Sequence, residues 1–279
     1  MSPNKNHDNL PKVTLTAPDG AQAEVYLHGA HVTSWRPADG EERLFLSERA
    51  EFEVGKAIRG GIPVCFPQFA EEGPILKHGF ARLATWTLVR SAQVGDTSQA
   101  VLELEDSEAT RAIWPYAFRA RLTVTVGGPR LHLELTIQNT GTEPFRFTGA
   151  LHTYLGVDDV ARVAVEDLSG CGYRDAVTGI SDNKQAEAEV HFDGEVDRIY
   201  RQCPAQLTVR EPKRQMTVQA TGFPDVVLWN PGPSRCAALK DMTRDGYRRM
   251  VCVEAAVVSE PPEVVPGAAW SGSQSLRAS

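Results

Sequence analysis

An all-β fold, built as one large antiparallel sandwich, is predicted by three observations. Apolar and polar residues alternate with period two along much of the chain, turn residues recur at roughly sandwich spacing, and helical periodicity is almost absent. The 279 residues, 42% hydrophobic and 8% aromatic, are enough to bury a substantial core. No repeat, low-complexity linker or composition break marks a boundary. Residues 12–279 are therefore expected to form one domain, preceded by a disordered tail over residues 1–11.

Taken in order, KVTLTA, AEVYLH and HVTSW read as the first strands, followed by TWTLVR and AVLELE. The clearest alternation comes next. Phe118, Ala120, Leu122, Val124 and Val126 alternate with Arg119, Arg121, Thr123 and Thr125, as a strand with one buried face would. After the turn Gly127-Gly128-Pro129, Leu131, Leu133, Leu135 and Ile137 alternate with His132, Glu134, Thr136 and Gln138. A second turn, residues 140–144, leads into FRFTGALHTYLGV, expected as the long strand that closes an antiparallel meander. QLTVR, MTVQA, VVLW and MVCVEAAVV complete the strands.

Composition removes several functions. A formal charge of −7, with lysines and arginines scattered, provides no basic field for a nucleic-acid backbone or an anionic membrane. The polar start MSPNKNHDNLPKV has no apolar secretion segment, and no run approaches the roughly 20 apolar residues of a membrane helix, so a cytoplasmic protein is expected. Five widely spaced cysteines without a C-x-x-C pair argue against a disulfide framework or zinc knuckle. A catalytic metal is not expected. His28 and His31 are three apart in a strand-like run and fall on opposite faces, and no H-E-x-x-H occurs. Phosphate loops of the G-x-x-x-x-G-K-[ST] or strand-to-helix G-x-G-x-x-G kind are also missing, so side chains must hold any phosphate.

Two residues stand out as acid and base. Glu254 is the only charge in MVCVEAAVV and shares a strand face with Cys252; burying a lone carboxylate is costly, so it needs partners or a task. A structural ion pair or a carboxylate bonded to backbone amides is the equally open alternative. His152 shares a face with Ala150 and Tyr154, and a satisfied core histidine is its alternative reading. Together the two would move protons at neutral pH without a cofactor. In RGGIPVCFPQF, Arg59 precedes two glycines and an apolar run, and KHGFAR adds Lys77, His78 and Arg82. These make one concentrated cationic feature in an acidic chain, suited to an anionic ligand.

IRGGIPVCFPQF, KHGFARLATW, GALHTYLGV, VDRIY, LWNP and MVCVEAAVV with a closing PG, in order over residues 12–276, resemble the hexose-6-phosphate mutarotases, or glucose-6-phosphate 1-epimerases, of the aldose 1-epimerase superfamily. The resemblance implies a galactose-mutarotase-like β supersandwich that interconverts sugar anomers without metal, nucleotide or other cofactor, and it leans towards a monomer. It implies that His152 acts on the ring oxygen and Glu254 on the anomeric hydroxyl, with Glu254 ionised at rest and His152 poised to donate. Arg59 and Arg82 would bind the 6-phosphate of a hexose 6-phosphate substrate. Lys77, His78 and Asp197 would contact the sugar, and Gln68 would be a further candidate. Gly60 and Gly61 would let the loop pass close to the sugar. Two positions depart from the family pattern. Lys77 stands where glutamine is common, and Ala255 where a proline often follows the glutamate, which changes backbone stiffness beside the base. A non-catalytic sugar-phosphate binding domain and a mutarotase for neutral hexoses are the alternatives; a neutral sugar would have no use for the cationic cluster.

Overall fold

The computed structural model describes residues 10–38 and 40–279. Of the expected tail, residues 1–9 lie outside the described residues. Leu10 is buried, and the Pro11 carbonyl accepts a hydrogen bond from Leu27 N–H at 2.9 Å, so both belong to the folded body.

The architecture is an antiparallel β supersandwich. Strands Lys12–Thr16, Gln22–Tyr26 and His31–Arg36 form a three-stranded sheet. A nine-stranded sheet contains the hairpins Thr87–Val94 with Thr97–Glu105, whose pairing shifts at a bulge between Leu88 and Arg90, and Phe118–Gly127 with Arg130–Asn139, which pairs Leu122 with Leu135 and Val124 with Leu133 in line with its alternation. The apolar positions of this alternation, such as Leu102, Leu122 and Leu133, enter one core cluster running from Leu15 to Ala278.

The strand after the meander departs from expectation. FRFTGALHTYLGV does not continue the nine-stranded sheet; it breaks into Phe145–Arg146, Gly149–Leu151 and Tyr154–Gly156. The first piece pairs with Glu263–Val264, and the other two pair with Met250–Val257 in an eight-stranded sheet. The place beside Arg130–Asn139 is taken instead by Ala269–Ala278, near the chain's end. Two short helices, Glu108–Ile113 and Gly232–Ala238, also escaped the sequence reading. The first carries a capping box between Ser107 and Thr110, a legible start signal for a helix too short to show periodicity.

The eight-stranded sheet positions the site. Its central strand, Met250–Val257, is buried on both faces. Val251, Val253, Ala255 and Val257 enter the main core, while Met250, Cys252, Glu254 and Ala256 face the other way, as the two-residue period requires. On the neighbouring strand Asp225–Asn230, Val226 and Leu228 likewise enter the core. Val227 and Trp229 join two small clusters on the opposite face: Cys65, Phe69, Ala150, Ile199, Val227 and Ala256 on one side, and Tyr154, Trp229, Cys236, Met242, Met250 and Cys252 on the other. His152 and Glu254 stand between them.

No helix among the described residues is long and apolar enough to cross a membrane.

Candidate active site

The pairing of Leu151 with Ala255 and Tyr154 with Cys252 brackets His152, which lies in the break between those two short strands, and sets it across from Glu254. His152 Nδ1 stands 3.3 Å from Glu254 Oε1, both side chains being buried. The contact is close but not a formed hydrogen bond, and Nδ1 and Glu254 Oε2 are left without hydrogen-bond partners. Two buried polar atoms converging without satisfying each other are costly unless a third party completes them.

Burial also sets the protonation of this pair. It pushes the Glu254 carboxyl well above the usual carboxylate range, with the negative charge of Asp197 adding to the shift. It pulls His152 well below the usual histidine range, helped by His78, Arg82 and Arg59. Burial thus works against a charge on either group, which runs counter to the expectation of an ionised glutamate at rest.

The backs of the two strands are pinned together. Thr153 Oγ1 donates to Gln274 Oε1, and Gln274 Nε2 donates to Val253 O at 3.0 Å, all in the buried interior. Gln274 belongs to Ala269–Ala278 of the other sheet, so one amide ties both layers directly beneath the His152–Glu254 pair.

Aromatic rings wall the pair. The Tyr154 ring stacks on His152, with centroids 4.9 Å apart and planes 9° from parallel. Trp229 meets both rings edge-on, at 6.2 Å from His152 and 5.9 Å from Tyr154. His78 stands 5.3 Å from His152, centroid to centroid. Its Nδ1 accepts from Ala70 N–H at 3.2 Å and lies 3.3 Å from Cys65 Sγ, which leaves Nε2 as the ring's donor. Burial, then the charges of Arg82, Lys77 and Arg59, pull His78 down to about 2, so it is a neutral donor at any working pH.

Arg59 is held rigidly. Its Nε and Nη2 both reach Asp241 Oδ2 at 3.1 Å, and its Nη1 donates to Tyr154 Oη at 2.9 Å. The loop behind it is fastened by two buried histidines: His28 Nε2 donates to Lys56 O and His31 Nε2 to Gly60 O, each at 2.7 Å. Gly60 and Gly61 adopt φ of 111° and 61°. Both also pass close to the protein's own backbone. A Cβ on Gly60 would stand 2.4 Å from Phe45 O, and one on Gly61 2.2 Å from Val32 O. Gly61→Ala is expected to lose about 1–3 kcal/mol from the left-handed backbone alone, with the clash added. An unchanged urea midpoint would refute this.

A second expectation concerns acid. Burial pulls His31 down to about 4. The unfolded chain takes up a proton below its ordinary value of 6.5 while the folded chain does not, so stability present above pH 6.5 is lost as pH falls towards 4. Between pH 7 and pH 5 this amounts to about 2 kcal/mol. Urea melts of the wild type and His31→Gln at both pH values check it: equal losses in the two proteins would remove His31 as the cause.

The remaining predicted residues divide. Arg82 Nη2 donates to Lys77 O at 2.9 Å, while its buried Nε has no hydrogen-bond partner. Lys77 sits on the rim, half-exposed and 3.9 Å from Glu71. Asp197 lies opposite Trp229 across the sheet, and burial raises it above the usual carboxylate range. Gln68 is spent elsewhere: its amide bonds Ala70 O, Ile75 O and Ile75 N–H and shapes the loop 69–76, so it does not line the site. Tyr154, Trp229, Asp241 and Gln274 were missed as site residues. Only the aromatic pair carried a signal, lying within the quoted GALHTYLGV and LWNP stretches. Among groups that could ligate a metal, His152, Cys252 and Glu254 come together, their ligand atoms all within 4.8 Å of one another.

The chain also resembles proteins already known. Residues 11–277 match the family model for aldose 1-epimerase, so the chain belongs to the aldose 1-epimerase family and is an isomerase of that class. A protein from Cenchrus ciliaris, provisionally named glucose-6-phosphate 1-epimerase, is 38% identical over 98% of this chain and 86% of its own length. One of the same provisional name from Escherichia coli K12 is 36% identical over 99% and 94%. The crystal structure of a provisionally named mutarotase from Salmonella typhimurium superposes with a TM-score of 0.90 at 31% identity, covering 98% of this chain and 91% of that one.

Proposed function

We propose that the protein interconverts the α and β anomers of hexose 6-phosphates, with glucose 6-phosphate as the reference substrate. The observation that carries this reading is the chain of contacts from Asp241 through Arg59 and Tyr154 to His152. It fixes a permanent cation one aromatic ring away from the acid–base pair. A phosphate at C6 offers that guanidinium an anionic partner in addition to Asp241, whereas a neutral hexose offers only hydroxyls. The names of the relatives point to the same substrate class.

Ring opening requires the C1 hydroxyl to lose its proton as the C1–O5 bond breaks and O5 to gain one. Rotation about C1–C2 and the reverse transfers close the ring as the other anomer. His152 and Glu254 suffice if they share a single proton. Burial by itself favours that proton on Glu254. A phosphate dianion bound by Arg59 and Arg82 offsets two of the positive charges that oppose protonating His152. Substrate binding thus moves the shared proton towards His152, leaving Glu254 as the base at the C1 hydroxyl and His152 as the acid at O5. Asp197, His78 and the rim Lys77 would orient the sugar hydroxyls.

Two-dimensional NMR exchange spectroscopy tests the reading, with glucose 6-phosphate, glucose and galactose compared at catalytic protein concentration against no-protein and Glu254→Gln controls. Accelerated exchange of the phosphate above both controls is expected. Tight binding without acceleration would make the chain a sugar-phosphate binding domain, and equal acceleration of the neutral sugars would remove the phosphate from the argument.

A further inference from the structure

His152, Cys252 and Glu254 are the three described side chains whose ligand atoms gather at the site, and all three are buried. The geometry points to a metal site at this place: a thiophilic divalent cation such as Zn²⁺ or Cd²⁺ binds His152 Nδ1, Cys252 Sγ and a Glu254 oxygen, and so inhibits the enzyme.

Three observations carry it. First, ligands about 2.0–2.1 Å from a tetrahedral ion stand roughly 3.3–3.4 Å apart, and His152 Nδ1 and Glu254 Oε1 are 3.3 Å apart. Second, His152 Nδ1 and Glu254 Oε2 have no hydrogen-bond partner to give up. Third, the alternation of the strand puts Cys252 on the face of Glu254, two residues away, and opposite Tyr154 next to His152. Cys65, the other thiol of this face, lies against His78 Nδ1 instead. A soft sulfur beside nitrogen and oxygen selects zinc-like ions over magnesium or calcium.

The charge balance suits a buried location. Binding releases the Cys252 thiol proton and the Glu254 proton to solvent. Thiolate, carboxylate and neutral imidazole then carry two negative charges against the two positive charges of the ion, and the complex is neutral. The ion occupies both lone pairs that the proton transfers need, so inhibition competes with substrate. That consequence rests on the acid–base reading of His152 and Glu254; the binding itself does not.

The test uses the full chain freed of metal with a chelator, in a Cys171→Ser/Cys203→Ser background because those two thiols touch each other. Cd²⁺ is titrated while the ultraviolet sulfur-to-cadmium charge-transfer band and the exchange rate of glucose 6-phosphate are followed. The band should saturate at one equivalent and be displaced by glucose 6-phosphate. Exchange should fall in step with it and return with chelator. Cys252→Ser should abolish the band and require at least about tenfold more Cd²⁺ for the same fractional inhibition, read against the variant's own metal-free rate. No band at one equivalent, or a band and inhibition that survive Cys252→Ser, would overturn the site. Cys252→Ala serves if the serine variant does not fold, and substrate displacement in the parent protein needs no variant at all. If the metal-free protein accelerates no sugar while the band behaves as expected, the metal site stands and only the mutarotase reading falls.

Discussion

Glu254→Gln is expected to slow anomer exchange of glucose 6-phosphate by about 10²–10⁴-fold, the usual contribution of one general acid or base, while KM changes little. Glutamine keeps the shape of the side chain and its place opposite His152 but can neither accept nor deliver the shared proton. Because that proton is needed only as C1–O5 breaks or forms, its loss acts on the transition state rather than on binding. His152→Asn should produce a loss of the same order, and the double variant should be scarcely worse than either single one, since the two groups act as a unit. Folding is not the weak point. The glutamate is held in surroundings that oppose its charge, so the neutral variant should resist urea at pH 7 at least as well as the wild type. If Glu254→Gln exchanges anomers at the wild-type rate, the proton route through this pair is wrong.

Arg59→Ala should act on the other kinetic constant. A charge-assisted hydrogen bond is worth about 1.5–3 kcal/mol, so KM for glucose 6-phosphate should rise roughly 10–100-fold. The phosphate is held alike in ground and transition states, so kcat should fall far less. Any residual turnover of unphosphorylated glucose should not change, and this comparison separates lost phosphate recognition from general damage to the site. A KM unchanged within a factor of about two would place the phosphate elsewhere, since a single lost charged contact cannot go unnoticed.

Much of this site was legible in the linear sequence, and the reason lies in strand periodicity. A lone carboxylate within MVCVEAAVV and a histidine two residues from Tyr154 define faces without knowledge of partners. What periodicity cannot supply is which strands pair. FRFTGALHTYLGV follows two alternating strands and reads as their continuation, yet it crosses to the other sheet. Ala269–Ala278, which fills the vacated place, shows little alternation because its inward residues are Gly272, Gln274, Leu276 and Ala278. Gln274 looks like a surface residue and is wholly buried as the tie beneath the site. Contacts at long sequence separation were equally invisible: Arg59 and Asp241 are 182 residues apart. His152, Cys252 and Glu254 likewise come together from separate segments, so no ligand spacing along one strand announces them.

The base comes from Met250–Val257 and the acid from the two-residue break between its partners Gly149–Leu151 and Tyr154–Gly156, whereas Arg59, Lys77, His78 and Arg82 all come from the single stretch 59–82. A sheet keeps its strands about 4.8 Å apart whatever side chains they carry, so the proton-transfer distance is inherited from the backbone. The stretch 59–82 is itself tied to the sheet at Val64–Cys65, which pairs with Gly149–Leu151, but its largely exposed residues 71–77 have no such template and can change without disturbing the strands. Within one such scaffold, lineages can therefore diverge in the sugar they accept while the chemistry stays constant, and a designer seeking a new substrate would rebuild the largely exposed residues 71–77 and leave the strands alone.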